Sequence, residues 1–335
     1  MPKYDPGKKR VKSKIIEQKD KVFIDNIPPL RWHENTDNCF IRSSQLTLNA
    51  LGENYSYDFL MGISGAAFRL HFHPDWCPSS ADSTTGFDVS RILFKSLGYK
   101  SVFHRINDNS FDDIKALYQK IIKEINFGRP IIAINLKACT EWGIITGYLK
   151  NKPGILCRTY FDETDEYSLA DRAPWLTFFI EKNDKPKSAD ALFKNSLEIA
   201  IQLAKTETFE EYTSGFGAFT KWIDELKKYT DSSKSKIFDK GEVNLTIYEY
   251  LIDSRRAAMK YLLSMNSKLK NGELIIKNYK NEVELLVDNK TKILPSYDAK
   301  STDWTKEIIN QQIKTLTQVL NIEKENIGLF KKELI

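Results

Sequence analysis

Apolar positions change rhythm about halfway along the chain. Up to residue 181, helical and strand-like spacings alternate; beyond Lys182-Asn183-Asp184-Lys185-Pro186-Lys187-Ser188, nearly every stretch has a helical period. Ile114, Leu117, Tyr118, Ile121, Ile122 and Ile125 predict a helix over 111–125, ended by Gly128-Arg129-Pro130. Residues 39–51 and 86–97 predict two more, stopped by Gly52 and Gly98, with a short helix around 56–62. Apolar runs predict strands at 102–106, 131–136, 142–149, 155–161 and 176–181. Helices followed by strands make residues 25–181 an α+β domain. Helical patterns at 188–206, 209–230, 244–267 and 302–332, with a less regular apolar segment near 273–293, predict an all-α helical domain over 188–335.

Charge adds little to this picture except at one end. Residues 1–21 hold eight basic and three acidic side chains, which accounts for the whole net charge of +5. The remainder is balanced, so no nucleic-acid surface is expected beyond a basic, frayed tail over 1–24. Ile15-Ile16 is too short for the apolar region of a signal peptide. No apolar run has the length of a membrane span, so no membrane partner is expected. Cys39, Cys77, Cys139 and Cys157 lack a close-spaced pairing pattern. Reduced thiols and a cytoplasmic setting follow as the expectation.

Cys39 is the residue with the most chemical content. It follows the turn-forming run Trp32-His33-Glu34-Asn35-Thr36-Asp37-Asn38 and heads a helical pattern. Asp37 or Asn38 can cap that helix, and the positive end of the helix dipole favours a thiolate. A lone cysteine is otherwise most often a small buried hydrophobe.

Two segments resemble a known layout. The first is His33 six residues before Cys39; the second is Gly128-Arg129-Pro130-Ile131-Ile132-Ala133-Ile134-Asn135 followed by Glu141-Trp142-Gly143-Ile144-Ile145-Thr146-Gly147-Tyr148. They resemble papain-like bacterial cysteine peptidases that cleave leader peptides after double glycine. The segments from Cys39, from Gly52-Glu53-Asn54 to Phe68-Arg69-Leu70, and Cys157-Arg158-Thr159-Tyr160-Phe161-Asp162 resemble the family of the butirosin biosynthesis protein H N-terminal domain. That resemblance covers residues 25–181. The helical half is also similar, through Tyr212-Thr213-Ser214-Gly215 to Trp222-Ile223 and Asp253-Ser254-Arg255-Arg256. It implies a papain-like fold and acyl transfer through Cys39, from a carrier-protein thioester to an amine. An acyl carrier protein is then a partner. Two positions depart from the pattern. His33 stands where a glutamine would help form the oxyanion hole, and Glu141 stands where the catalytic histidine belongs.

These departures leave three functional readings. In the first, Cys39 transfers acyl groups, with His33 as an unusual base oriented by Glu141. In the second, water replaces the amine and the protein is a peptidase or amidase. In the third, the scaffold has lost its base and binds a peptidyl or small-molecule ligand without catalysis. Asn38, Trp142 and Asp162 are candidate substrate-binding residues, although Trp142 equally suits a core position and Asp162 a turn. His71 and His73 alternate onto one face of a strand and are candidate pocket residues. With Cys77 they fall short of a standard zinc set, and neither a metal nor another cofactor is expected. Ser64 lacks the spacing of a serine nucleophile elbow, and no phosphate-cradling motif is present.

Overall fold

The structure is a computed structural model that describes residues 10–106, 111–230, 238–293 and 305–335. Its contacts divide the chain into two compact units: Met1–Leu60 with Ser90–Pro186, and Met61–Val89 with Lys187–Ile335. The class is α+β.

The first unit is built on an antiparallel sheet. Its strands are β1 (Ile15–Glu17), β2 (Lys21–Ile24), β4 (Tyr99–Arg105), β5 (Ile131–Ile134), β6 (Trp142–Leu149), β7 (Ile155–Arg158), β8 (Ser168–Leu169) and β9 (Leu176–Lys182). The order β1-β2-β6-β5-β9-β4 runs across the sheet. On β6, Ile144 pairs with both Ile132 of β5 and Arg158 of β7, while Gly147 pairs with Phe23 of β2 and Leu156 of β7. β7 therefore runs along one edge of β6, and β5 and β2 share the other. Gly143 is required here, because a Cβ at that position would lie 2.5 Å from the Arg158 carbonyl oxygen.

Two long helices, α1 (Cys39–Ala50) and α4 (Phe111–Asn126), pack on this sheet. Neighbouring side chains of a strand point to opposite faces. Phe178 meets Phe40 of α1 with ring centroids 5.5 Å apart, whereas Phe179 lies under Lys120 of α4. The two helices thus cover opposite faces. Phe40, Trp142 and Phe178 form an aromatic core between α1 and the sheet, at centroid distances of 5.2–5.5 Å. The short helix α3 (Val89–Ser96) precedes β4, and Phe94 meets Phe40 edge-on.

The expected frayed tail over 1–24 is corrected for its later part. Ile15–Glu17 pairs with Val22–Ile24, and Lys21–Phe23 continues onto β6. Charged residues around Ile15-Ile16 disguise two short strands that gain their stability from the ladder. Residues 1–9 lie outside the described residues.

The second unit carries helices α5 (Ala189–Lys205), α6 (Gly215–Lys227), α7 (Phe238–Ser264), α8 (Gly272–Ile293) and α9 (Lys306–Glu333). It also holds a small antiparallel sheet ordered β10 (Thr208–Phe209), β11 (Tyr212–Ser214), β3 (His71–Phe72). The chain passes from the first unit into the second within α2 (Tyr57–Ser64). Met61–Val89 groups with the helices, so a single first domain over 25–181 is corrected. The reasons are contacts distant in sequence: a Cβ on Gly62 would overlap the Tyr261 ring, Thr213 and Ser214 pair with Phe72 and His71, and Arg255 donates to the Ala67 and Arg69 carbonyls. The helix expected over 209–230 likewise begins as a hairpin, and the helix proper starts at Gly215, which has φ +55°. The helix predicted from 302 is described from Lys306, and residues 302–304 lie outside the described residues.

Polar groups are unusually prominent inside this unit. Trp222 Nε1–H donates to Asn244 Oδ1 at 2.8 Å, and Asn244 and Gln312 exchange amide hydrogen bonds at 2.9–3.0 Å. Arg255, 1% exposed, is ion-paired with Glu323 and lies 3.3 Å from Glu282, which is fully buried. Burial, and then the charge of Glu323, raise the Glu282 carboxyl well above the ordinary carboxylate range. Among the described residues, no helix is long and apolar enough to cross a membrane.

Candidate functional site

Cys39 is the first residue of α1 and is buried. Asn38 is the cap: its Oδ1 accepts the Ile41 N–H at 3.0 Å, and its carbonyl accepts the Arg42 N–H at 2.8 Å. Asn38 is itself held in place, since its own N–H donates to the Tyr57 hydroxyl at 2.9 Å. One turn along α1, the Ser43 hydroxyl donates to the Trp142 carbonyl at 3.3 Å. That bond sets the beginning of α1 against the beginning of β6, where Glu141 and Trp142 stand.

The loop before Cys39 is pinned from the other side. Trp32 stacks on Tyr160 at 4.0 Å, and the Tyr160 hydroxyl donates to the Thr36 carbonyl at 2.8 Å. Tyr160 belongs to the turn that Asp162 closes. Asp162 Oδ1 accepts from the Thr159 N–H at 3.2 Å, the Thr159 hydroxyl at 3.0 Å and the Ser168 hydroxyl at 2.8 Å. Its other oxygen faces Arg158 at 3.5 Å. Asp162 therefore fastens the β7–β8 turn that supports the Cys39 loop. Neither Trp32 nor Tyr160 was singled out by sequence reasoning; aromatic residues in a polar loop and just after a strand were the available signal.

The structure brings Asn38, Cys39, Trp142 and the Asp162 turn into one neighbourhood, and it treats His33 differently. His33 is exposed, with φ +64°, and its backbone N–H donates to Asp37 Oδ1 at 2.7 Å. Glu141 is half-buried; its carbonyl accepts from Asn135 at 3.3 Å and its N–H donates to the Cys139 carbonyl at 2.9 Å. Cys157, behind Asp162, is a packed thiol whose pKa burial pushes up to about 12.

His71 and His73 belong to the second unit and are described there. Both meet the Tyr212 ring, at centroid distances of 5.4 and 5.0 Å, as residues on one strand face should. His71 Nε2–H donates to the Ser79 carbonyl at 3.1 Å. Burial, and then the Arg69 charge, hold its pKa well below the ordinary imidazole range, so it is a neutral donor. His73 Nδ1 accepts the Asp75 N–H at 3.1 Å and turns Nε2 toward Glu211 at 3.8 Å. The Tyr212 hydroxyl donates to Cys77 Sγ at 3.4 Å. This cluster is organised around an aromatic ring. Among the described residues, no group of three His, Cys, Asp or Glu side chains is arranged to hold a metal ion.

No protein-family model and no curated protein matches the chain.

Proposed function

We propose that this protein is a non-catalytic binding protein whose first unit, on a papain-like scaffold, takes a peptidyl or small-molecule ligand beside α1 without bonding to Cys39. The observation that carries this reading is the employment of Asp162. A thiol relay needs a base hydrogen-bonded to the nucleophile and a third group orienting the base. Asp162, the buried carboxylate of the turn that supports the Cys39 loop, spends its oxygens on Thr159, Ser168 and Arg158. The base position is Glu141, and a carboxylate beside a thiol disfavours the thiolate by repulsion. The Trp32–Tyr160 stack offers a rigid aromatic surface to a ligand, and the buried Asn38 cap fixes the start of α1 beside it. The four free cysteines support a cytoplasmic setting.

One observation favours the second reading, acyl transfer. Cys39 occupies the first position of a capped helix, where backbone N–H groups can stabilise an oxyanion. In that reaction the Cys39 sulfur bonds to the acyl carbon of a carrier-protein thioester and the donor thiol leaves. An amine then takes the acyl group, or water does in the peptidase or amidase form, and the thiol is restored.

Incubation of the folded protein with an acyl N-acetylcysteamine thioester, followed by intact-mass analysis, separates the readings. The binding reading expects no acyl adduct on the native protein. A stoichiometric adduct on Cys39, absent in Cys39→Ser, overturns it in favour of acyl transfer.

A further inference from the structure

The second unit contains a buried positive charge whose guanidinium donates to backbone carbonyls. Arg69 is 5% exposed. Two arms of its guanidinium donate to the Ser83 and Thr85 carbonyls, and its plane lies 5.7 Å from the Phe87 ring centroid. Its Nε–H has no hydrogen-bond partner, and among the described residues no carboxylate is within ion-pair distance of it. Burial lowers the guanidinium pKa only to about 10, so the group is cationic at neutral pH. Asp82 acts on it at longer range.

This charge lines a small cavity. Ser80, Ser83, Tyr250 and Ser254 line it, Ser254 with its hydroxyl donated to the Leu251 carbonyl, and His71 lines it as a neutral side chain. The space open to a water-sized sphere is about 10 Å³, which is room for a single small species. A buried cation is costly, and a donor left unmade adds to the cost. A monatomic anion relieves both, and the Ser80 hydroxyl, which accepts the His73 N–H, can turn its proton toward it.

We propose that this cavity is a halide site, in which chloride accepts the Arg69 Nε–H and the Ser80 hydroxyl and acts as a counter-ion of Arg69. Larger oxyanions do not fit the space. The site lies wholly within the second unit and is independent of any chemistry at Cys39. Its role is to fix the segment Arg69–Thr85 against α7, because Arg69 joins that segment's carbonyls to the cavity wall.

The test is made on the full chain. Crystals grown or soaked in sodium bromide should show a bromine anomalous peak within hydrogen-bond reach of Arg69 Nε. Thermal unfolding is measured in parallel in sodium chloride and in sodium gluconate at matched ionic strength. Above the dissociation constant, the midpoint should rise by about 3–6 °C for each tenfold increase in chloride. Gluconate should give no such rise, and Arg69→Met should remove the difference between the two salts. A cavity without a bromine peak, together with equal midpoints in both salts, overturns the proposal and leaves the space to water. If Arg69→Met fails to fold, the bromide crystal and the wild-type salt comparison still decide the matter.

Discussion

Replacing Arg255 with methionine tests whether the helical unit is organised by a buried charge network. Arg255 on α7 joins Glu323 on α9, approaches Glu282 on α8 at 3.3 Å, and donates to the Ala67 and Arg69 carbonyls at 3.0 and 3.1 Å. Methionine fills much of the same volume but leaves the two acidic side chains facing each other without a cation. Removing one partner of a buried ion pair costs about 3–5 kcal/mol, most of it the exposure of the remaining charge to a low-dielectric interior. At about 2–4 °C per kcal/mol for a unit of this size, the unfolding midpoint should fall by about 6–20 °C. Helical circular dichroism during heating reads this directly. The double variant Arg255→Met/Glu323→Gln should recover part of the loss, because one of the two carboxyls can then no longer ionise. A loss below about 1 kcal/mol, the size of an exposed pair, would refute the reasoning.

Two further outcomes follow from the geometry. Glu282 has a folded pKa raised above its unfolded value, so its contribution is full below the ordinary carboxylate pKa and is lost as pH rises through the folded value. Stability of the wild type should therefore decline with rising pH over that window, and Glu282→Gln should flatten the decline; parallel pH profiles would count against the assignment. Asn38→Ala removes the acceptor for the Ile41 N–H and should cost about 1 kcal/mol in denaturant unfolding, with Asn38→Asp retaining most of it.

The regular elements were largely legible in the sequence. A helix over 39–51 is observed as Cys39–Ala50, and the strand at 142–149 is Trp142–Leu149, because strong apolar periodicity and flanking turn residues agree there. The short strands β1, β2, β10 and β11 were not legible, since two to four residues carry no measurable period and depend on their pairing partners. The grouping of Met61–Val89 with the helices depends on long-range contacts such as Arg255 with Ala67, which leave no local signature. At the candidate site, the position of Cys39 at a helix start and the capping by Asn38 could be read from the turn-forming run. The engagement of Asp162 by Thr159 and Ser168 could not, because a turn carboxylate and a site carboxylate look alike in a sequence. Arg69 and Glu282 were within reach of a sequence argument: each is a charged residue amid apolar neighbours, Phe68 and Leu70 in one case and Tyr279, Val283 and Leu286 in the other.

The central claim is that Cys39 is a packed side chain beside a binding surface. It is tested most directly by the rate of iodoacetamide labelling at each cysteine of the native protein, read by peptide mass spectrometry across a range of pH. Cys139 is exposed and serves as the unhindered reference, while Cys157 is buried and should stay unlabelled until the protein unfolds. Labelling of Cys39 that is slower than that of Cys139 at every pH, and that becomes fast only in denaturant, is the predicted result. Labelling of Cys39 ahead of Cys139 in mildly acidic solution would contradict the account and establish an activated thiolate.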